Sequence, residues 1–172
     1  MGLLSKEQIA AALAALNSEM ARQGLRAELH VVGGAVMCLV HQARPATRDV
    51  DAWFSEAAAV REAARRVAQD LQLPEDWLND AAKAFIPGQA GFEMWQSLSN
   101  LDVLVADDRT LLAMKCVAGR TLEDADDIRV LAAKLGLHSS QDILGVVLEY
   151  YPADRLPIRV QLMLEEMFDD GP

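Results

Sequence analysis

The sequence predicts an α/β (α+β) fold, a mixed sheet flanked by helices with a small helical bundle at its C-terminal end. Short β-prone runs (LHVV, VDAWF, FEMW, NLDVLVA) are interleaved with segments of helical period, which is the pattern of strands alternating with helices. Hydrophobic residues make up 52% of the 172 residues, enough for a sizeable core. The last segments, DILGVVLEY and the run from Leu156 to Met167, carry helical patterns only.

Ser5 and Gln8 form a capping-box pair ahead of Ile9, Leu13, Leu16 and Met20, a first helix closed by Gly24. The stretch from Arg26 to Phe54 then holds two β-prone runs joined by a glycine pair, a short apolar segment and a polar corner. Gly33 and Gly34 lie between LHVV and AVMCLV, predicting strand, tight turn and helix start, where backbone amides can approach a phosphate. In a strand, residues two apart share a face, so Asp49 and Asp51 project together while Val50, Ala52 and Phe54 face the core. Two carboxylates held that close repel each other unless a cation sits between them, and a divalent metal is the usual answer.

Ser55 is expected to cap a second long helix, EAAAVREAARRVAQDL, ending before Leu73 and Pro74. PEDWLNDAAKA reads as a short helix with Pro74 in its first turn, and PGQAG as a break. FEMW and NLDVLVA follow as strands, joined as a hairpin through Gln96 to Asn100. Asp102 interrupts the second run; it is either an exposed strand start or a third carboxylate beside Asp49 and Asp51.

Asp107 or Asp108 can cap the helix carrying LLAMKCVA, which puts Lys115 near an apolar stripe. Its ammonium either snorkels to solvent or meets a phosphate or an inward carboxylate. After a turn at Gly119, Arg120 and Thr121, a helix with Ile128, Leu131 and Leu135 on its stripe places Asp124 inward and Asp127 at the edge, with Glu123 and Asp126 solvated. Asp124 can pair with Lys115 or Arg120, or serve as a first-turn acid. Gly136 ends that helix, and Ser139 or Ser140 caps the next, read as buried nearly all round until Pro152. Leu156, Val160, Met163, Leu164 and Met167 form an amphipathic closing helix before an acidic tail.

The glycine pair, the Arg44 to Thr47 lead-in, Asp49-Val50-Asp51, the LDV around Asp102 and LLAMKCVAGRTLEDADDI together resemble the small nucleotidyltransferase superfamily with a DNA-polymerase-β-like core. Within it, they are similar to abortive-infection-type nucleotidyltransferase toxins and related bacterial proteins. The resemblance covers about residues 26 to 136. It implies that Asp49, Asp51 and Asp102 are catalytic metal ligands for Mg²⁺ or Mn²⁺. It also implies that Gly33, Gly34, Thr47, Arg48, Lys115 and Asp124 serve nucleotide binding. Two departures are a longer gap from Gly34 to Asp49 than is usual there, and Gly in place of a frequent Ser as the second of the pair. The resemblance implies residues 1–120 as a nucleotidyltransferase-like core with its N-terminal helix, and 121–172 as a helical part packed on it.

The expected activity is transfer of a nucleotidyl group from a nucleoside triphosphate to an RNA 3′ end or a protein side chain, with a toxin role and an antitoxin partner. The alternative is an inactive module of the same fold that binds a nucleotide or a protein. Formal net charge is −10, and from Thr121 onward eleven acidic residues face four basic ones, which argues against a long DNA or RNA partner. Arg44, Arg48, Arg61, Arg65 and Arg66 form a modest basic cluster able to meet a nucleotide or an RNA end, with Arg61, Arg65 and Arg66 equally read as a solvated helix face. No membrane-length apolar run or leader pattern is seen, so a cytoplasmic location is expected. Cys38 and Cys116 read as small core residues, and His30, His41 and His138 lack ligand spacing. No Walker-type motif or nucleophile elbow occurs.

Overall fold

The computed structural model describes residues 2–118 and 122–169. The expected turn at 119–121, with Arg120 as a second partner for Asp124, the side chain of Glu123 and the acidic tail beyond 169 lie outside the described residues. The fold is mixed α/β, with a five-stranded mixed sheet and flanking helices. The chain divides into two units: Met1–Ala84 with Phe92–Ala106, and Phe85–Gly91 with Asp107–Pro172. The division therefore follows the last strand, earlier than residue 120, and the helix carrying Lys115 goes with the C-terminal helices.

The first unit opens with β1 (Leu4–Ser5) and α1 (Lys6–Arg22). Ser5 forms the expected capping box, its Oγ accepting from Gln8 N at 3.3 Å and its own N–H donating to Gln8 Oε1 at 2.9 Å. Next come β2 (Ala27–Val32), α2 (Gly34–Leu39), β3 (Ala46–Thr47), β4 (Val50–Phe54) and α3 (Ala57–Leu71), then β5 (Leu78–Asn79), β6 (Phe92–Ser97) and β7 (Leu101–Ala106). The sheet runs β5-β4-β2-β7-β6, with β2 antiparallel to β4 and parallel to β7; β1 and β3 make a separate antiparallel pair.

Side-chain alternation separates the two faces of this sheet. Leu29, Val31, Val50, Ala52, Phe54, Leu101 and Val103 are buried on one face. Helices α1 and α3 pack on each other, α1 also meeting β7 and α3 meeting β5. The opposite face carries Glu28, His30, Asp51, Trp53, Asp102 and Leu104, none of them fully buried, together with the buried Val32 and Ala106.

Two local expectations fail here. Ser55 does not cap α3: the helix starts after Glu56, which sits in the left-handed region at φ 48°, and Ser55 Oγ instead accepts from Glu28 N at 2.9 Å. One more rung of the β2–β4 ladder takes the hydroxyl that the sequence assigns to the helix. The stretch from Pro74 is not a helix either. It makes a turn, then β5, then a 3₁₀ segment at Ala81–Phe85. Trp77 is fully buried and its indole N–H donates to Ala64 O of α3 at 3.0 Å, so burial of one large ring draws Leu78 and Asn79 alongside β4.

The second unit contains α4 (Asp108–Ala118), α5 (Leu122–Leu135), α6 (Ser140–Tyr150) and α7 (Ile158–Phe168). Asp107, not Asp108, caps α4, its Oδ1 accepting from Thr110 N at 2.7 Å. Gly136 ends α5 at φ 69°, and Ser139 with Asp142 forms a capping box on α6. Helix α6 is one-sided rather than buried all round: Ile143, Val146 and Val147 are buried while Leu148 is exposed. Cys38 and Cys116 are free and buried, and burial pushes the Cys116 thiol up to about 12. Among the described residues no helix is long and apolar enough to cross a membrane.

Candidate functional site

The glycine turn after β2 is where four of the predicted residues meet: Gly33, Gly34, Thr47 and Asp51. Gly33 has φ 71° and ψ −144°, a conformation that only glycine adopts without strain. A Cβ on it would stand 3.5 Å from Asp51 Oδ2, so the carboxylate of β4 lies directly against the turn. A Cβ on Gly34 would come within 2.6 Å of Thr47 Oγ1 and 3.2 Å of Arg44 Nη1. Thr47 is buried, and β3 brings its hydroxyl there. The absence of both side chains thus lets three groups, a carboxylate, a hydroxyl and a guanidinium, close on one short backbone segment.

Asp49 sits just ahead of β4 rather than inside it. Its Oδ2 accepts from Asn79 Nδ2 at 3.2 Å, and Asn79 is the residue paired with Asp51 across β4 and β5. Burial, the strongest influence, raises the Asp49 carboxyl above the ordinary aspartate range; the Asn79 bond and the Arg48 charge pull it down, and Asp76 pushes it up. Arg48 itself is exposed.

Asn79, Arg44 and Asp76 are the members of this neighbourhood that sequence reasoning did not assign to the site. A two-residue strand has no periodicity to reveal it, so Asn79 could not be found by pattern. Arg44 is visible in the sequence as the start of the Arg44 to Thr47 lead-in and as one of a cluster of arginines, but with no role of its own.

Asp102 is not part of the site. In the register of the parallel pair it stands beside Glu28, whereas Asp51 stands beside Val32. The four-residue offset amounts to about 13 Å along the strands, and two strand spacings add about 10 Å across. Asp102 is therefore absent from the turn, where Asp51 stands against Gly33 and Asp49 lies two residues ahead of it in the chain. Asp102 is on the expected face but at the wrong end, where Ser97 Oγ donates to it at 2.5 Å and Arg26 Nη2 at 2.6 Å. These bonds, that of Ser97 first, hold its carboxyl below the usual range.

Lys115 and Asp124 belong to the second unit, where they meet each other. Lys115 Nζ is 2.8 Å from Asp124 Oδ1 and 2.8 Å from Asp127 Oδ2. Its side chain is only 10% exposed and that of Asp127 only 3%, so Asp127, placed at the stripe's edge by the sequence, is the deeper of the two acids. The inward-carboxylate alternative for Lys115 is the one realised, with two acids in place of one. Asp126 is solvated as expected and pairs with Arg129.

Among the described residues no three His, Cys, Asp or Glu side chains are grouped so as to hold a metal ion. Asp51 against the turn and Asp49, two residues ahead of it with its charged form disfavoured by burial, still fit Mg²⁺ or Mn²⁺ of the kind bound through one or two carboxylates, with substrate phosphates supplying further oxygens. Comparison with protein-family models, with curated proteins and with solved structures finds no match to this chain.

Proposed function

We propose that the protein is a metal-dependent nucleotidyltransferase that moves a nucleotidyl group from a nucleoside triphosphate to an RNA 3′ end or a protein side chain. The observation that carries this reading is the approach of Asp51 to Gly33 and of Thr47 to Gly34, with Asp49 two residues from Asp51. A phosphate chain laid on the glycine turn has the Thr47 hydroxyl and the Arg44 guanidinium beside it. Asp49 and Asp51 would hold Mg²⁺ or Mn²⁺, which when bound supplies Lewis acidity to the phosphoryl oxygens and to the departing pyrophosphate. Asp102 has no part in this arrangement. Lys115 is likewise engaged with Asp124 and Asp127, so its role here is to tie α4 to α5.

The net charge of −10 favours a protein or a short RNA end over a long nucleic acid as acceptor. A triphosphate substrate suits a cytoplasmic enzyme. The resemblance of the motifs to abortive-infection-type enzymes adds a toxin role, with an antitoxin protein as partner.

The displacement of Asp102 favours a second reading, a module that binds a nucleotide or a protein through the same site without catalysis. Incubation of wild type, Asp49→Ala and Asp51→Ala with α-phosphate-labelled nucleoside triphosphates, Mg²⁺ or Mn²⁺ and cell extract separates the two. Metal-dependent labelling of an acceptor by wild type and not by the variants supports the enzyme. Metal-dependent binding without labelling supports the module, and neither binding nor labelling rejects both.

A further inference from the structure

Three rings stand together on the sheet face that carries Asp51. Trp53 follows Asp51 by two residues on β4 and so shares its face, about 7 Å farther along. Across β2, His30 is its register partner, and the two rings meet edge-on at 4.8 Å between centroids. His30 meets Phe92 of β6 in the same way at 4.7 Å, so the row crosses from β4 to β6. All three are half-buried, whereas the opposite face of these strands buries Leu29, Val31, Ala52, Phe54 and Val103 in the core. Met94, register partner of Leu104 beside this row, is 56% exposed. On this face Val32 and Ala106 are buried, whereas the three rings, Leu104 and Met94 are not, so the rings are left partly open to a ligand.

We propose that Trp53, His30 and Phe92 form a platform on which a nucleobase stacks, next to the carboxylate of Asp51. The inference rests on the nucleotide reading of the glycine turn and adds to it the part of the ligand that the phosphates do not use. A base is the occupant because the row is continuous with the Asp51 end of that site and offers flat aromatic surface. Beyond the rings the same face carries Glu28 and Asp102, which disfavour a phosphate backbone lying across it but leave an uncharged ring unaffected. The base is that of the triphosphate, whose phosphates the adjoining glycine turn would hold, since Glu28 and Asp102 on the same face disfavour an RNA backbone.

The test is equilibrium binding in Mg²⁺ of three probes, a nucleoside triphosphate, inorganic tripolyphosphate and a short RNA with a free 3′ end, to wild type, Trp53→Ala and Trp53→Phe. If the platform holds the base of the triphosphate, wild type binds that ligand about tenfold or more tighter than tripolyphosphate. Trp53→Ala then removes the difference without changing tripolyphosphate affinity, and Trp53→Phe keeps most of it. If the same substitutions act on the RNA alone, the assignment of the platform to the triphosphate is overturned.

The platform alone is overturned if tripolyphosphate binds while Trp53→Ala leaves the other two affinities unchanged, or if Trp53→Ala and Trp53→Phe weaken all three equally. Failure of wild type to bind any probe rejects the nucleotide reading and the platform with it.

Discussion

Arg26 clasps Asp102 with two nitrogens, Nε at 3.1 Å from Oδ2 and Nη2 at 2.6 Å from Oδ1, while Arg26 Nη1 donates to Ser99 O at 2.6 Å. The carboxylate that lies inside an apolar strand is thus a fastening between β2 and the β6–β7 hairpin. On the proposed nucleotide reading, Asp102→Asn is expected to keep metal-dependent nucleotide binding at the wild-type level and Asp51→Asn to lose it. Binding titrations of both variants check this; equal losses would return Asp102 to the site.

Gly33→Ala forces a side chain into φ 71° and ψ −144°, a strain of about 1–3 kcal/mol. Gly34→Ala meets Thr47, a buried β-branched residue with little freedom to move away. Both variants are expected to unfold at lower urea concentration than wild type and to bind tripolyphosphate more weakly. Gly24→Ala, at φ 66° but with open space around it, is the control that loses stability without losing binding.

Lys115→Met leaves Asp124 and Asp127 without the cation that both contact. Breaking a buried pair in this way costs about 3 kcal/mol or more, and Asp127 is 2% exposed. Chemical denaturation of the variant is the measurement. Asp126→Asn, on the solvated side of the same helix, is expected to change little.

Burial raises the Asp49 carboxyl, so the folded chain holds that proton to higher pH than the unfolded chain does. Its contribution is therefore neutral at pH below the ordinary aspartate value of about 4, and stability is lost as pH rises from there through the raised value. Asp49→Asn is expected to be more stable than wild type at pH 7, with the gain vanishing below about pH 4. Unfolding curves at the two pH values test the sign. In wild type, Mg²⁺ binding at mildly acidic pH should release a proton, detectable by calorimetry in buffers of different ionisation enthalpy.

What the sequence makes legible here is face and period, and what it leaves hidden is position along a neighbour. Alternation puts Asp51, Trp53 and Asp102 on one side of the sheet, and a step of 100° per residue puts Asp124 on the inner side of α5. The end of β2 at which Asp102 emerges depends on the register of a parallel pair. That register is set by a long connection and not by anything local to either strand. The glycine turn was readable because a strand, two glycines and a helix start are adjacent in sequence. Asn79 was not, because its place beside Asp51 is decided by where Trp77 finds room against α3. Ser55 shows the same competition at one residue, a good capping side chain taken by a strand neighbour.

The seven residues Phe85–Gly91 are fastened to the later helices although they precede the last two strands. Tyr151 Oη donates to Phe85 O at 2.7 Å, Gln89 to Glu149 O, and Gly91 N to Thr110 Oγ1 at 2.9 Å. A chain cut after Ala106 would strip that loop of every one of these anchors while keeping the whole glycine turn and both its acids. Dissecting this protein by truncation would therefore leave a dangling segment between β5 and β6, and a fair separation of the two halves needs the loop replaced by a short neutral linker.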